Sequence, residues 1–535
     1  MLMCGIFAYL SLHLNNESLD EVIECANKIQ HRGPDTTNAL RVTQNILFVF
    51  HRLCINDLTV AGNQPLNLDN RYFVMCNGEI YNHKILEELH GFTMKSHSDC
   101  EVILHLFKKG GIDLVVSELK GYYGFTIWDN VEKQLYVSRD ALGVRQLYYG
   151  YGNCNYCICS ELKGIPEYMN VIAFPTDKIM KFTILENSIT QQILEKRKNQ
   201  ICYYQEPLLL NETTIEQQKE LIYNSLVNAC ERRFMTERPY GALLSGGLDS
   251  SLIAGIIRRL KPTSELHTFT IGLEDSPDIL ASRKVAKHIN SIHHEIIITE
   301  EQLLNNVDRT IEITETWDTT TIRASNPMIL LCEYIKNHTD IKVIFSGEGA
   351  DEAGGGYRYF HQAPTIEDFH TECNSLLSNL LYYDCLRCDK STAAFGLEVR
   401  APFLDDDFIK EYMSVPTEWK MPKDGMEKWL IRSAFDNGLL PDDILWRSKE
   451  AFSDGVSKAE NSWHKIIQTY VNSIVTDEEF KTNKNYYSNP PLLKESYYYR
   501  KIFNSIYPGK DNVIPGYWMP KWSSTSDPSA REIKN

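Results

Sequence analysis

A run of small and hydroxylated residues in the middle of the chain is the strongest candidate for chemistry. Ser245-Gly246-Gly247-Leu248-Asp249-Ser250-Ser251 follows an apolar stretch, 240–244, that predicts a strand, and it leads into a predicted helix over 251–260. Glycines let the backbone approach a ligand closely, and N–H groups at a helix start attract anions. A glycine-rich turn without a ligand is the alternative. The complete run favours a phosphate site, although it lacks the usual Gly-x-x-x-x-Gly-Lys pattern.

A second loop of small residues carries three carboxylates. Ser346-Gly347-Glu348-Gly349-Ala350-Asp351-Glu352 follows the predicted strand 342–345. Carboxylate oxygens are ligands that Mg²⁺ prefers. Alone, this acidic loop would fit a solvated turn equally well. Together with the first loop it predicts a nucleotide and metal site.

Cys4 is a possible nucleophile near the start of the chain. A thiol needs a base to become reactive, and the α-amine of a terminal cysteine has a reference pKa of about 7.7–8.0. A buried cysteine is more often a small hydrophobic residue. Cys4 by itself therefore does not decide between a nucleophile and a buried hydrophobic residue.

The composition limits the classes of partner. The 535 residues predict two or three domains, and the formal net charge of -16 opposes binding to nucleic acid or anionic membranes. No apolar run approaches the roughly 20 residues that span a bilayer, and the first twelve residues do not resemble a secretory signal. Fourteen scattered cysteines indicate free thiols in the cytoplasm. The pairs Cys154/Cys157 and Cys385/Cys388 favour buried thiols over zinc ligands.

Two different patterns of elements must position these loops. The first half mixes short strands with helices, predicted to be capped at Ser18 and Ser98, and indicates an α+β domain rich in sheet. The second half alternates strand and helix and predicts a doubly wound parallel sheet, in which ligands bind beyond the carboxyl ends of the strands. The tail from about Tyr507 is predicted to be irregular or mobile.

Five motifs in the first half resemble class II glutamine amidotransferases. They are Cys4-Gly5-Ile6-Phe7, His31-Arg32-Gly33-Pro34-Asp35, Arg52-Leu53, Asn77-Gly78-Glu79-Ile80-Tyr81-Asn82 and Ser98-Asp99. The resemblance implies a glutaminase with an N-terminal-nucleophile fold of sandwiched sheets. With the motifs of the second half, the chain is similar over residues 4–530 to the family of glutamine-hydrolysing asparagine synthetases. These later motifs are Thr320–Ser325, Gly356-Tyr357, Arg400–Asp405, Lys449–Gly455 and Tyr517–Trp522.

The resemblance implies two domains and a role for each predicted residue. A glutaminase domain is expected over 4–206 and an ATP-pyrophosphatase-type synthetase domain over 207–535. Cys4 would attack glutamine, and Asn77 and Gly78 would form the oxyanion hole. The other glutamine-binding residues would be Arg52, Glu79 and Asp99, of which Arg52 suits the α-carboxylate.

In the synthetase domain the resemblance implies adenylation of aspartate by ATP, with Mg²⁺ as cofactor. The β-aspartyl-AMP would then react with ammonia brought through a channel, and AMP, pyrophosphate and glutamate would be released. Asp249 and Asp351 would bind the metal, Glu348 and Lys449 would be catalytic, and Thr320 and Arg323 would face aspartate or the intermediate. The expected ATP-binding residues are Leu244, Ser245, Gly246, Gly247, Asp249, Ser250, Ser251, Ile271, Ser346 and Gly347. A homodimer is also possible.

The chain departs from the family at Met1-Leu2-Met3, which precede the cysteine. A translation start at Met3 would restore a terminal Cys4 after trimming. Pro175-Thr176-Asp177 lacks an expected glycine, and Ala353-Gly354-Gly355-Gly356 is unusually rich in glycine. Three alternatives stay open: an ammonia-dependent synthetase, an enzyme for another carboxylate acceptor, and a non-catalytic relative.

Overall fold

The computed structural model describes residues 3–14, 16–196, 205–449, 455–457 and 461–528. The first half contains twelve strands and three α-helices among these residues. The strands are β1 (Gly5–Leu10), β2 (Thr36–Thr43), β3 (Ile46–Arg52), β4 (Leu66–Leu68), β5 (Tyr72–Ile80), β6 (Gly121–Asp129), β7 (Gln134–Arg139), β8 (Tyr148–Gly152), β9 (Asn155–Cys159), β10 (Asn170–Ala173), β11 (Lys178–Ile184) and β12 (Ile189–Glu195). The helices are α1 (Asn16–Asn27), α2 (His83–His90) and α3 (Val102–Glu118).

Two antiparallel sheets of six strands pack face to face in this half. Their orders are β10-β8-β9-β1-β3-β2 and β12-β11-β7-β6-β5-β4. One face of each sheet contributes to a shared apolar core, in which Ile6 and Phe48 meet Trp128 and Val137. Alternate residues point outward, so Phe7 packs with residues of α1, and Val74 with residues of α3. The predicted sandwich of sheets is therefore confirmed.

The second half is built on a five-stranded parallel sheet of order β15-β14-β13-β16-β17. Its strands are β13 (Tyr240–Leu243), β14 (His267–Gly272), β15 (Ile292–Ile297), β16 (Val343–Phe345) and β17 (Glu398–Arg400). The helices are α4 (Ile215–Arg232), α5 (Leu248–Leu260), α6 (Pro277–His288), α7 (Glu300–Asn305), α8 (Val307–Thr314), α9 (Thr319–His338), α10 (Ala350–Gly354), α11 (Ile366–Asn379), α12 (Asp384–Ala393), α13 (Asp406–Ser414), α14 (Thr417–Lys420), α15 (Trp429–Ala434), α16 (Asp442–Leu445), α17 (Trp463–Ile474), α18 (Asp477–Asn483) and α19 (Lys494–Ile506).

Helices cover both faces of this parallel sheet. Side chains of α4 and α5 belong to one apolar core, and those of α8 and α9 belong to another. The sheet positions both predicted loops, because one connects β13 to α5 and the other connects β16 to α10. Both loops therefore lie at carboxyl ends of neighbouring strands, as the predicted doubly wound sheet requires.

Two local predictions differ from the structure. Helix α1 begins at Asn16, so Ser18 is not its N-cap. Ser98 forms no side-chain cap, since the Glu101 carboxylate accepts hydrogen bonds from the amides of Lys95 and Ser96 instead. The tail is irregular as predicted, and Trp518 and Trp522 pack against the apolar core of the second half.

Buried polar contacts join the two halves. The Arg32 guanidinium bonds to Glu161 of its own half at 2.8 Å and to Asp389 of α12 at 2.9 Å. Glu315, at the end of α8, accepts hydrogen bonds from the amides of Leu162 and Lys163. Removing charged groups from water is costly unless they are paired, so these contacts tie the halves to one another. Among the described helices, none is long and apolar enough to cross a membrane.

Candidate active sites

Cys4 lies directly before β1, and its thiol faces the backbone of Leu53. The Leu53 amide donates to Sγ at 3.3 Å, and the thiol lies 3.6 Å from the Leu53 carbonyl oxygen. Burial raises the pKa of this thiol, opposed by the Leu53 hydrogen bond and the charge of Arg52, while Glu398 and Glu79 raise it further. The thiol is therefore protonated at rest and needs a base. Met1 and Leu2 lie outside the described residues.

Asn77 and Gly78 lie near the end of β5, in the second sheet of the sandwich. Asn77 is buried, and its side-chain nitrogen has no hydrogen-bond partner among the described residues. A Cβ atom at Gly78 would lie 2.0 Å from the carbonyl oxygen of Tyr122 on the neighbouring strand, so only glycine fits. An unpaired buried donor is unusual in native structures. It is suited to donate a hydrogen bond to the oxygen of a ligand.

The guanidinium of Arg52 is embedded in the loop that follows β3. It donates to the Thr59 carbonyl at 2.7 Å and to the Asn63 side chain at 2.6 Å, and it also contacts the carbonyl of Asp57. Gly62 makes room for it, because a Cβ there would lie 2.2 Å from its terminal nitrogen. The loop therefore fixes the orientation of Arg52, whose charge still acts on Cys4.

Glu79 and Asp99 form a buried pair of carboxylates. Burial, followed by the charges of Glu398 and Asp99, raises the pKa of Glu79, against the opposing charge of Arg400. Burial also raises the pKa of Asp99, against the hydrogen bond that the Ile80 amide donates at 2.7 Å. A bound ammonium group would favour the ionised carboxylates. The pair is thus a suitable receptor for the α-ammonium of an amino acid.

The two loops of the second half contact each other through their backbones. A Cβ atom at Gly347 would lie 2.7 Å from the Ser250 nitrogen. Within the first loop the hydroxyls of Ser245 and Ser250 are 3.1 Å apart, and Ser250 lies 3.2 Å from the Ser245 amide. These polar groups border one cavity. The predicted site residues that line this cavity are Leu244, Ser245, Gly247, Asp249, Ser250, Ile271, Thr320, Arg323, Ser346, Gly347, Glu348, Asp351 and Lys449.

Two predicted ATP-binding residues lie behind the wall of this cavity. Gly246 adopts φ +75°, and a Cβ there would collide with Ala281 and Ser282 of α6. The Ser251 hydroxyl is fully buried in the first turn of α5 and has no partner among the described residues. Both residues therefore shape the turn.

Four charged groups meet where the two loops face each other. Lys428 donates to both oxygens of Asp249, at 2.6 and 2.7 Å, and to Asp351 at 2.6 Å. Lys449 contacts Asp351 and lies 3.7 Å from Asp249. Burial raises the pKa of Asp351, but both ammonium groups outweigh it and hold this pKa below its usual value. The predicted metal ligands thus converge on one point. The motif that begins at Lys449 continues into 450–454, outside the described residues.

Glu348, in the same loop as Asp351, belongs to an acidic group that lines the cavity. Arg387 of α12 donates to it at 2.5 Å and to Asp384 at 2.9 Å. Burial raises the pKa of Glu348, and the Arg387 charge opposes this. Next to it, Glu352 accepts a hydrogen bond of 2.5 Å from the Tyr357 hydroxyl. Glu348 can therefore exchange a proton at the cavity surface while Arg387 holds it in place.

Thr320 and Arg323 lie in the first turn of α9. The Thr320 hydroxyl donates to Asp318, which caps the helix by accepting from the Thr321 amide at 2.8 Å. Arg323 is buried and is paired with Glu495 at 2.5 Å and with Asp527 at 3.0 Å. Its fork is therefore already engaged by two carboxylates.

Sequence reasoning missed several residues of the cavity. Lys428, Arg387, Asp384 and Arg447 stand outside the motifs that indicated the site. Within the glycine-rich run 353–356, a Cβ at Gly356 would lie 2.1 Å from an oxygen of Asp351 and 2.8 Å from Lys428. Gly356 therefore makes room for the ion pairs.

Both halves of the chain match known protein families. Residues 3–201 match the Glutamine amidotransferase domain family, and residues 221–373 and 362–526 match the Asparagine synthase family. The chain is 42% identical over 560 residues to the asparagine synthetase [glutamine-hydrolyzing] of Gallus gallus, covering 100% of this chain and 99% of that one. It is 41% identical over 557 residues to the protein of the same name from Homo sapiens, covering 99% and 98%.

A solved structure of a glutamine phosphoribosylpyrophosphate amidotransferase from B. subtilis aligns at 15% identity, with a TM-score of 0.31, over 56% of this chain and 91% of that one. A structural similarity this low adds no argument to the full-length sequence matches. Both halves match in the expected order, and the match to the relatives extends over the full length. The chain belongs to the family of glutamine-hydrolysing asparagine synthetases.

Proposed function

We propose that the two sites divide the reaction of this family between them. The chain makes asparagine from aspartate with ATP and takes the nitrogen from glutamine. The amino-terminal site, in the proposed domain 4–206, releases ammonia, and the site in the proposed domain 207–535 activates aspartate. The observation that carries this division is the cavity at the ends of β13 and β16, where Asp249 and Asp351 converge.

In the first site, Sγ of Cys4 attacks the side-chain amide carbon of glutamine. The developing oxyanion is bound by the Asn77 side-chain N–H and the Gly78 amide. Collapse of the tetrahedral intermediate releases ammonia and leaves a thioester, which water hydrolyses to glutamate. The unpaired buried nitrogen of Asn77 supports this role. Arg52 holds the α-carboxylate of glutamine, and Glu79 and Asp99 hold its α-ammonium.

The α-amine of Cys4 acts as the base in this mechanism, so the active chain must begin at Cys4. A start at Met3 followed by trimming supplies such a chain. Intact-mass analysis of active protein tests this requirement. Glutaminase activity in a chain that retains residues before Cys4 would contradict it and would require another base.

In the second site, the aspartate side chain attacks the α-phosphate of ATP, forming β-aspartyl-AMP and releasing pyrophosphate. Leu244 and Ile271 flank the nucleotide, while Ser245, Gly247, Ser250, Ser346 and Gly347 line its phosphates. Gly246 and Ser251 shape the same loop.

The remaining groups of this site bind the metal ion, balance phosphate charge, transfer a proton or border the aspartate. Asp249 and Asp351 would hold Mg²⁺, since protein sites bind this ion through one or two carboxylates together with substrate phosphates. The ion would neutralise phosphate charge. Lys449 balances the charge of the leaving pyrophosphate. Glu348 removes a proton as ammonia attacks the acyl adenylate, and Thr320 and Arg323 border the aspartate.

An assay with ATP and aspartate, supplied with either glutamine or ammonium, tests the proposal. We expect AMP, pyrophosphate and asparagine from both nitrogen sources, and a Cys4→Ala variant should lose only the glutamine-driven reaction. ADP as product would reject the adenylation. If the unaltered chain makes asparagine with ammonium but not with glutamine, this result would favour an ammonia-dependent synthetase.

We further propose that the chain acts in the cytoplasm, because the cysteines that the structure describes are free thiols. Fractionation of cells that express it checks this. A homodimer stays a prediction, which light scattering on the purified protein tests.

A further inference from the structure

Lys428 occupies a central position between the two proposed metal ligands. Its ammonium lies 2.6 Å from Asp351 and 2.6 and 2.7 Å from the two oxygens of Asp249. Its side chain is completely buried, whereas the carboxylates retain 14% and 16% exposure. All three side chains line the cavity, and the lysine is the most deeply buried of them.

The fold shapes the path of this lysine's backbone and stem. Lys428 adopts φ +53°, a conformation that is uncommon for a residue other than glycine, directly before α15. Its stem passes along Gly354 and Gly356, where Cβ atoms would lie 3.0 Å from Cγ and 2.8 Å from Cε. Strained backbone often accompanies a functional position. Two glycines and a left-handed residue therefore shape this place for the ammonium group.

A magnesium ion and this ammonium cannot occupy the same position. Both carboxylates already direct three oxygens to the nitrogen, and Mg²⁺ requires oxygens at about 2.0–2.1 Å in near-ideal octahedral geometry. Lys449 adds a second positive charge next to Asp351. A divalent cation that enters without a ligand of its own meets like charge and no open carboxylate oxygen at this point.

We propose that Lys428 is a resident counter-cation that keeps Mg²⁺ out of the nucleotide-free site. The polyphosphate of ATP brings negative charge and new oxygen acceptors, so the ammonium can turn from the carboxylates to a phosphate and free Asp249 and Asp351. Lysine suits this exchange because it is a point charge on a flexible stem. The inference rests on the proposed assignment of Asp249 and Asp351 to the metal, and it makes metal binding dependent on nucleotide.

Mn²⁺ binding to the nucleotide-free full-length protein, followed by electron paramagnetic resonance, tests the inference. Lys428→Met keeps the length of the side chain and removes its charge. We expect the variant to bind Mn²⁺ about tenfold or more tightly than the wild type, because two uncompensated carboxylates then face the cavity. Lys428→Arg is the matched control and should still exclude the ion. Adding Asp351→Asn to Lys428→Met should remove the gained site.

Equal Mn²⁺ affinity of the wild type and a folded Lys428→Met variant would overturn the inference. If Lys428→Met does not fold, Mn²⁺ binding to the wild type tests the inference instead. Nucleotide-independent Mn²⁺ binding that Asp351→Asn abolishes would overturn the inference, and Mn²⁺ binding that requires a non-hydrolysable ATP analogue would support it. The proposed metal ligands are tested separately by the analogue complex: if Asp351→Asn leaves Mn²⁺ binding to that complex unchanged, the ligand assignment is wrong.

Discussion

The side-chain amide of Asn77 donates no hydrogen bond to any described residue, although it is buried. Leaving such a donor unpaired costs about 1–3 kcal/mol. The sandwich of sheets tolerates this cost at the position where the resemblance implied an oxyanion hole. The identity of Asn77 followed from its motif, but its missing partner is visible only in the folded chain.

Asn77→Ala should lower the rate of the glutamine-driven reaction by about 10²–10³, the effect of removing one oxyanion donor. The ammonium-driven reaction should not change, since the synthetase cavity does not include this residue. The thermal unfolding midpoint should stay the same or rise, because an unpaired buried donor is removed. Steady-state rates with each nitrogen source check this, and an equal loss in both reactions would contradict the assigned role.

Glu101 anchors the segment that leads to Asp99. Burial raises its pKa, but hydrogen bonds from His105, Ser96 and the Lys95 amide outweigh burial and lower this pKa to about 2. A carboxylate with a lowered folded-state pKa stabilises the fold above its unfolded-state value of about 4.3. This contribution is lost as the pH falls from that value through about 2.

Glu101→Gln should therefore destabilise the protein by about 2 kcal/mol at neutral pH and flatten the decline of stability below pH of about 4.3. The KM for glutamine should rise, because the segment before Asp99 loses its anchor. Unfolding midpoints across pH check the first effect. Glu88→Gln, at an exposed position of α2, is the control and should change neither property; identical pH profiles for both variants would contradict the assignment.

At the scale of elements, alternation of strand and helix was sufficient to predict the parallel sheet and both of its loops. It did not reveal β17, since this strand has only three residues, two of them charged, Glu398 and Arg400. It did not reveal Lys428 either, because its partners lie 179 and 77 residues away in the chain. Local patterns report periodicity and turns, whereas such ion pairs depend on how distant elements pack.

Gly347→Ala tests the close approach of the two loops. The new Cβ would lie 2.7 Å from the Ser250 nitrogen, so the loops must separate, and overpacking of this kind costs about 1–3 kcal/mol. We expect ATP–pyrophosphate exchange to fall strongly while glutamine hydrolysis persists. Gly152→Ala is the control, since no atom lies within 3.8 Å of its Cβ. Unchanged exchange in Gly347→Ala would mean that the loop spacing is not important.

The whole molecule is joined through buried charges rather than through apolar contacts alone. Arg32 from the first half pairs with Asp389 from the second, and both side chains are fully buried. Glu315 of the second half binds two backbone amides of the first. None of these contacts could be predicted from the sequence, because each one joins residues that lie far apart in different halves of the chain. They make the relative position of the two sites a property of the fold.

Asp389→Asn should destabilise the entire chain by about 3–5 kcal/mol, the cost of leaving a buried charge without its partner. Because the halves are joined, we expect one shifted calorimetric transition for both. Asp443→Asn is the control: it removes an exposed ion pair with Lys284 and should cost less than about 1 kcal/mol. Equal midpoints for the two variants, or independent melting of the halves, would contradict this picture.

Strand β17 belongs to the second half but contributes side chains to the site of the first half. It is the edge strand of the synthetase sheet, yet Arg400 lies 3.5 Å from Glu79 and the charge of Glu398 acts on Cys4. A glutaminase half joined by recombination to another acceptor-activating half would lose these two side chains and the carbonyl of Ala401 that receives the Tyr122 hydroxyl. A different second half would therefore need a strand with equivalent groups to keep these contacts.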